Sequence, residues 1–459
     1  MTVSALPFGA AAQRAPRPAA TAPRSLDGVR GLRPVTLLRG ALVLMMAGQL
    51  GRIPVLTSQG KDAPVLLNEV VLAAVLAATV IVCARARSLR LDGVAFAALA
   101  FAAVGGASVL VNAPEFRLSG YETFYSLAYL ARWLAYFGVY VSIINTATPG
   151  DAGRLWRTLE RALLGFTIFG IVQAIALPGF AQLVYPENDD AMGWDVQGHR
   201  LVSTLLDPNF AGALILLALL VLLARMAFGV RVPRWKPLTL ITGLVLTFSR
   251  SSFLGLFVGG LVLISVRGLR RQYARIAAAV VAIALPFTPL IIRYGMEYQK
   301  FTLSDGSAIQ RTIMWLRGLT VLADHPLLGI GFNTYGFVQR AYGWDIVGRD
   351  GFGLDGGLLF IGVMTGFVGL AVYVGMYALM WRRCQRVWRD AAATPEARGT
   401  ALGVAAASLA IVVHSCFVNS LLLPFVMEPL WVLWGLVFLY RHESRPVVEP
   451  RRSFIPAPV

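Results

Sequence analysis

The residues best able to do chemistry in this chain are arginines set in apolar surroundings. Arg132 lies inside the run YSLAYLARWLAYFGVY, residues 125–140. A charge buried at membrane depth costs roughly 2.5–3.5 kcal/mol even on lenient scales, so Arg132 should face protein or water. Tyr125, Tyr129, Arg132, Tyr136 and Tyr140 share one helical face by their spacing. A cation flanked by Tyr129 and Tyr136 suits a sugar or phosphate cavity; the alternative is a structural pair between Arg132 and Glu69 of the preceding apolar segment.

Arg250 stands in Thr247-Phe248-Ser249-Arg250-Ser251-Ser252, between two short apolar segments. Ser251 or Ser252 is expected to cap the following helix, whose free N–H groups attract anions. A fixed Arg beside such an end is a reasonable pyrophosphate contact, against the plainer reading of an interfacial Arg reaching for head groups. Arg200, in Gly198-His199-Arg200-Leu201, is a second anion-binding candidate, placed just before Asp207-Pro208-Asn209-Phe210. There Asp207 reads as an N-cap and Pro208 as the first helical residue. Arg311 and Arg317 fall on an amphipathic segment, Ala308–Asp324, with Ile309, Ile313, Leu316 and Val321 on its apolar face against Gln310, Arg311 and Arg317.

Asp355 closes a long polar loop in Gly353-Leu354-Asp355-Gly356-Gly357. It is either a helix N-cap or a general base for a sugar hydroxyl. His199 and His325 read as loop and turn residues; His414 and Asn419 either line a cavity or bond neighbouring helices. The stretch from Asn333 to Leu354 reads as a binding loop rather than a packed element. Spacings suited to a metal ligand set are absent, so no metal and no cofactor are expected.

These groups must be positioned by membrane helices. Of 459 residues, 57% are hydrophobic and 14% charged, against about 25% charged in soluble domains. The apolar residues fall into runs long enough to cross a bilayer, which excludes a soluble enzyme, a disulfide scaffold and a β-barrel. Twelve spans are predicted, near 34–56, 65–84, 92–112, 124–146, 159–181, 210–226, 235–248, 252–266, 274–292, 356–381, 399–420 and 424–440. The fold class is therefore an all-α polytopic membrane protein. Its parts are a disordered tail (1–33), helices one to nine (34–292), an extracytoplasmic loop with an amphipathic helix (293–355), helices ten to twelve (356–440) and a second tail (441–459). The connections around Arg85, Arg87 and Arg90, around Arg154, Arg157 and Arg161, and around Arg382, Arg383, Arg386 and Arg389 lie on one side of these spans. That bias predicts a cytoplasmic side holding both termini, and it accounts for the net charge of +17 without any nucleic acid. Cys83, Cys384 and Cys416 offer no outer pair for a disulfide, and no cleavable signal peptide is expected.

In this order the motifs resemble the O-antigen ligase and O-antigen polymerase superfamily, polytopic C-type glycosyltransferases that use polyprenyl-diphosphate-linked glycans. The resemblance covers most of 120–375. It rests on Gly198-His199-Arg200-Leu201 with Asp207-Pro208-Asn209, Thr247 to Ser252, Arg311 with His325-Pro326-Leu327-Leu328-Gly329-Ile330-Gly331, and Asp355 with Gly366-Phe367-Val368-Gly369. It implies an inverting, metal-independent transfer in the bacterial inner membrane, with Arg200, Arg250 and Arg311 on the lipid diphosphate and a glycan or lipid-linked acceptor. Many ligases carry His-Asn eleven residues before the glycine that matches Gly366; here Asp355 and Gly356 occupy those positions. This departure shifts the expectation from a lipopolysaccharide ligase toward a polysaccharide polymerase, for O-antigen or exopolysaccharide, or a divergent ligase. The competing class is a transporter or flippase of a lipid-linked or anionic cargo. The long outer loop and the lack of an internal repeat favour the enzyme.

Overall fold

The structure is a computed structural model and describes residues 33–58, 61–184, 200–266, 306–344 and 353–443, with isolated helical pieces between 271 and 293. In chain order the helices are α1 (Pro34–Leu44), α2 (Leu67–Ala86), α3 (Gly93–Asn112), α4 (Gly120–Thr146), α5 (Ala152–Ala176), α6 (Phe180–Val184), α7 (Pro208–Ala227), α8 (Trp235–Leu246) and α9 (Arg250–Ser265). They continue with α10 (Gly306–Asp324), α11 (Tyr335–Val338), α12 (Gly357–Arg389), α13 (Pro395–His414) and α14 (Pro424–Glu443). One antiparallel hairpin, β1 (Arg52–Ser58) with β2 (Lys61–Leu66), is the sheet among the described residues.

Local chemistry sets many of the helix starts. Asp92 accepts from the Ala95 amide at 2.9 Å, Ser119 and Glu122 form a capping box, and Thr394 accepts from the Ala397 amide. Among the described residues, eight helices are long and apolar enough to cross a membrane: α1 with its 3-10 extension to Gly51, α2, α3, α4, α5 with its leading turn, α7, α12 and α13. The protein is thus a multi-pass helical membrane protein. Eleven of the twelve expected ranges fall on described helices, although α8, α9 and α14 do not meet the length and hydropathy of the eight. Eight of the nineteen residues of 274–292 lie outside the described residues, as do the first 32 residues and 294–305 and 345–352 of the expected loop. The first expected span, 34–56, is shorter than predicted: its helix gives way at Arg52 to the hairpin, in which Pro54 pairs opposite Pro64.

α7 forms the centre. It is apolar all round and almost entirely buried, as a helix without a polar face must be. α13 packs along both α7 and α9, α14 along α4, and α12 along α3. One end of the bundle gathers the arginines and their partners. Arg383 pairs with Asp92 at 2.6 Å and bonds Tyr140, Lys236 pairs with Glu160 at 2.7 Å, and Arg225 donates to Thr400 at 2.7 Å. Each joins helices far apart in sequence, so this basic end is knitted by side chains rather than by its connections.

The opposite end holds the unusual backbone. α12 breaks at Gly366, whose φ of 62° lies in the left-handed region. The segment Pro326–Gly331 lies along the break and takes up the freed groups. Ile330 and Gly331 donate to the carbonyls of Val363 and Met364 at 3.0 and 3.1 Å, and Phe367 donates to Pro326 at 2.7 Å. Asn112 of α3 adds a bond to the Gly329 carbonyl at 3.0 Å. A Cβ on Gly366 would collide with the Leu327 carbonyl, and one on Gly329 with the α12 backbone. The motif His325 to Gly331 is therefore a strap over a broken helix, the form in which irregular backbone is tolerated at such depth. His325 sits at its start, edge-on to the Phe116 ring, with Glu115 at 3.8 Å.

Within 306–344 the structure shows which way α10 faces and corrects one expectation. Val321 of α10 is buried, but Ile309, Ile313 and Leu316 are exposed, while Arg311, Trp315 and Gly318 turn inward toward Leu354 and Asp355. Helical periodicity identifies an apolar face but not which way it points, and here the polar face carries the contacts. The start of the supposed binding loop is also packed: Tyr335, Phe337 and Val338 are buried, and Arg340 ties this segment to Glu122 of α4 at 2.6 Å.

Candidate active site

The site forms where four helix ends meet: the starts of α7, α9 and α12 and the end of α13. The segment before α7 is fixed first. The Leu201 amide donates to Leu246 at the end of α8 at 2.8 Å. The Gln173 side chain of α5 accepts from the amides of Val202 and Ser203 and donates to the Arg200 carbonyl. This framing aims the half-buried Arg200 side chain along the α8 terminus, where its Nε donates to the Thr247 carbonyl at 2.9 Å. Positive charge at a helix C-terminus is favourable.

Asp207 caps α7 as expected. One carboxylate oxygen accepts from the amides of Asn209 at 2.7 Å and Phe210 at 3.0 Å. Burial pushes this carboxyl up from its usual range, while those amides and the positive charges of Arg200 and Arg311 oppose the rise. Two of the three arginines singled out for a diphosphate thus converge on the field of one carboxylate.

Arg250 opens α9. At 12 and 16 residues, α8 and α9 extend only about 18 and 24 Å, so neither crosses a core of roughly 30 Å. The turn between them is buried, with Thr247, Ser249 and Ser252 fully enclosed and Phe248 at a φ of 47°. The helix cap is Ser249, accepting from the Ser252 amide at 3.4 Å, rather than Ser251 or Ser252. The Ser249 hydroxyl also donates to Asn209 at 2.9 Å, which joins the starts of α7 and α9 side by side. Arg250 itself is exposed on this platform.

Asp355 meets Arg311. The guanidinium Nε lies 3.1 Å from one Asp355 oxygen, both side chains being partly open to the surface. Trp315, one turn along α10, donates to the Asp355 carbonyl at 2.9 Å. The N-cap position of α12 is held by Gly356, at a φ of 102° and with no side-chain cap bond. The capping alternative for Asp355 is therefore not the one the structure adopts. What it adopts is a carboxylate on a rigid main chain, paired with a cation from another helix.

Arg132 takes the structural alternative. It pairs with Glu69 at 2.5 Å, and Tyr136 donates to the same carboxylate, whose other oxygen accepts from the Leu66 amide at 2.7 Å. Tyr129 lies 5.7 Å below the guanidinium, with its hydroxyl 3.4 Å from that of Tyr125. This network joins α2 to α4 and is distinct from the cluster at Asp207 and Asp355. Arg317 stacks over Trp344 at 5.2 Å. His199 lies outside the described residues. Sequence reasoning missed Trp315, Gln173 and the role of Asn209, because each acts through a partner remote along the chain.

Residues 238–374 match the family model described as O-antigen ligase. The match runs from α8 through the break in α12, and so holds Arg250, Arg311 and Asp355 but not Arg132 or Arg200. No curated protein matches the chain.

Proposed function

Starting from the match of residues 238–374 to the O-antigen ligase family model, we propose that this protein transfers a glycan from a polyprenyl diphosphate to an acceptor hydroxyl at the outer face of the bacterial inner membrane. The observation that carries the reading is the Arg311–Asp355 pair beside the field of Arg200 and Asp207. In this reading Arg200, Arg250 and Arg311 bind the donor diphosphate and Asp355 is the base. The diphosphate competes for the Arg311 guanidinium and draws it from Asp355. A carboxylate that loses its counter-ion becomes more basic, so the base is raised only when donor is bound. Asp355 then takes the proton of the acceptor hydroxyl, and the oxygen forms a bond to the anomeric carbon. The bond from that carbon to the diphosphate breaks on the opposite face, with inversion, and the arginines hold the charge left on the polyprenyl diphosphate. They supply positive charge at the leaving group, and no metal enters this scheme.

Asp355 in the position of the family's His favours a polymerase, for O-antigen or exopolysaccharide, or a divergent ligase. The test is reconstitution of the purified protein in liposomes with lipid-linked oligosaccharide. A ladder of lengthening glycans is expected; a single transfer to an acceptor would instead mean a ligase. Movement of the donor across the bilayer without any new bond would overturn the enzyme reading in favour of a flippase.

The orientation is part of the proposal. The Arg-rich end of the bundle faces the cytoplasm, with both termini, by the positive-inside rule. In a background with Cys83, Cys384 and Cys416 replaced by Ser, cysteines at the exposed positions Ser88 and Ala392 should react only after the inner membrane is permeabilised. A cysteine at exposed Ala341 should react from outside. Labelling of Ala392→Cys from outside would reverse the assignment and place the site on the wrong face.

A further inference from the structure

The end of α13 carries a histidine that the proposed chemistry does not use. His414 is fully buried. Its Nδ1 lies 2.7 Å from the Ser420 hydroxyl and its Nε2 lies 3.2 Å from the Ser252 hydroxyl. The Ser252 hydroxyl in turn donates to Ser249 at 3.0 Å, and Ser249 donates to Asn209 Oδ1 at 2.9 Å. Each hydroxyl has a single proton, so the direction of this chain can be worked out from its far end. The Asn209 oxygen can only accept, which commits the Ser249 proton to it. Ser249 must therefore accept from Ser252, which commits the Ser252 proton as well. Ser252 is left to accept from the imidazole, so Nε2 carries the hydrogen. Nδ1 then accepts from Ser420.

Of the two neutral tautomers, only the Nε2–H form satisfies every link. Both ring nitrogens are engaged, and neither is left to take a substrate proton. The chain runs from α13 through the first turn of α9 to the first turn of α7. Its middle member, Ser249, is the residue that caps α9 and precedes Arg250. α7 admits it because residue 212 is glycine: a Cβ there would overlap the Ser252 hydroxyl. The residue that ends α13 completes the bracket, since the carbonyl of Ser415, its C-cap, accepts from the Gly357 amide at 2.5 Å, two residues from Asp355. One turn of α13 thus holds the helix that starts at Arg250 and the helix that follows Asp355.

We propose that His414, as the neutral Nε2–H tautomer, is a positioning residue that sets Arg250 against the donor through Ser252 and Ser249. The inference rests on the reading of Arg250 as a contact to the donor diphosphate. Removing the imidazole leaves the Arg250 charge in place but frees the turn that aims it. A displacement of about 1 Å at a charged contact is enough for a loss of about ten- to a hundredfold.

The test measures initial rates against lipid-linked oligosaccharide in liposomes for His414→Leu, His414→Gln, Ser252→Ala, Arg250→Ala and the His414→Leu/Arg250→Ala double variant. His414→Leu and Ser252→Ala are expected to raise the donor KM by similar factors, about tenfold or more, with a smaller change in kcat. Gln supplies one donor and one acceptor, and is expected to recover most of the loss. The double variant should be no worse than Arg250→Ala alone, because a residue acting through Arg250 has nothing left to position. Additive losses in the double variant would overturn the proposal, as would a fall in kcat at unchanged KM in His414→Leu. If Arg250→Ala raises the donor KM and neither His414→Leu nor Ser252→Ala does, this inference alone fails. A normal donor KM in Arg250→Ala would bring down the diphosphate reading together with it. If His414→Leu proves unstable in detergent, Ser252→Ala and His414→Gln carry the comparison.

Discussion

Replacing Asp355 by Asn is expected to slow glycan transfer by about 10²–10⁴-fold, the usual contribution of a positioned base, with the protein still folded and still binding its donor. The argument turns on what the substitution leaves alone. Gly356 holds the N-cap position of α12, and the main chain at residue 355 is fixed by the Trp315 indole. Asn keeps the shape and one carbonyl oxygen facing Arg311 but cannot take a proton as a carboxylate does. The pair lost is partly exposed, at 23% and 32%, and such pairs contribute only about 0–1 kcal/mol. Stability should therefore barely move while turnover collapses. Thermal unfolding in detergent, donor binding and initial rate, measured on one preparation, check all three. Normal turnover in Asp355→Asn would remove the base from this position.

The pair also makes a separate claim about Arg311. If the donor draws the guanidinium away from Asp355, then Arg311 both binds the leaving group and restrains the base. Arg311→Ala should accordingly lose donor affinity, yet free Asp355 in the absence of donor.

How legible these arrangements are depends on whether local or remote contacts decide them. The cap at Asp207, the helical start at Pro208 and the amphipathic α10 follow from neighbours within a turn, and each is where its local pattern puts it. Span positions follow from hydropathy in the same way. What could not be read is pairing between distant segments. Nothing in Pro326–Gly331 announces that its amides will bond to Val363 and Met364 across the break at Gly366. Nothing local to Ser249 announces a histidine 165 positions later in the chain, at His414, that completes its hydrogen bonds through Ser252. The direction of the α10 apolar face is open from sequence for a different reason. In water an apolar face implies a core, but beside a bilayer it is equally stable pointing outward. Arg132 shows the converse: Glu69 and Arg132 are both visible as charges in apolar runs, and their mutual pairing was one of the two readings open from sequence.

Arg250→Ala and Arg200→Ala are expected to reduce transfer severely, and Arg250→Ala more cleanly. A charge-assisted bond to an anion contributes around 1.5–3 kcal/mol, about ten- to a hundredfold per arginine, so loss of both should leave no measurable product. Arg250 is exposed, and Ser249 caps α9 without it, so its removal leaves the helix start intact. Arg200 has a second role. Its Nε bonds the Thr247 carbonyl, and its charge favours the buried Asp207 carboxylate. Arg200→Ala should therefore lose some stability as well as activity. Arg200→Lys separates the two effects: lysine retains the charge near Asp207 but not the planar fork that grips a diphosphate. The expected result is a protein as stable as the wild type whose donor KM remains raised. The leaving diphosphate gains negative charge as its bond to the sugar breaks, so the arginines should matter more in the transition state than in the bound donor. Arg250→Ala should then lower kcat as well as raise donor KM, and raised ionic strength should weaken donor binding less in the variant than in the wild type. Wild-type rates in both alanine variants would require the diphosphate to bind elsewhere, and with it the acceptor and the base.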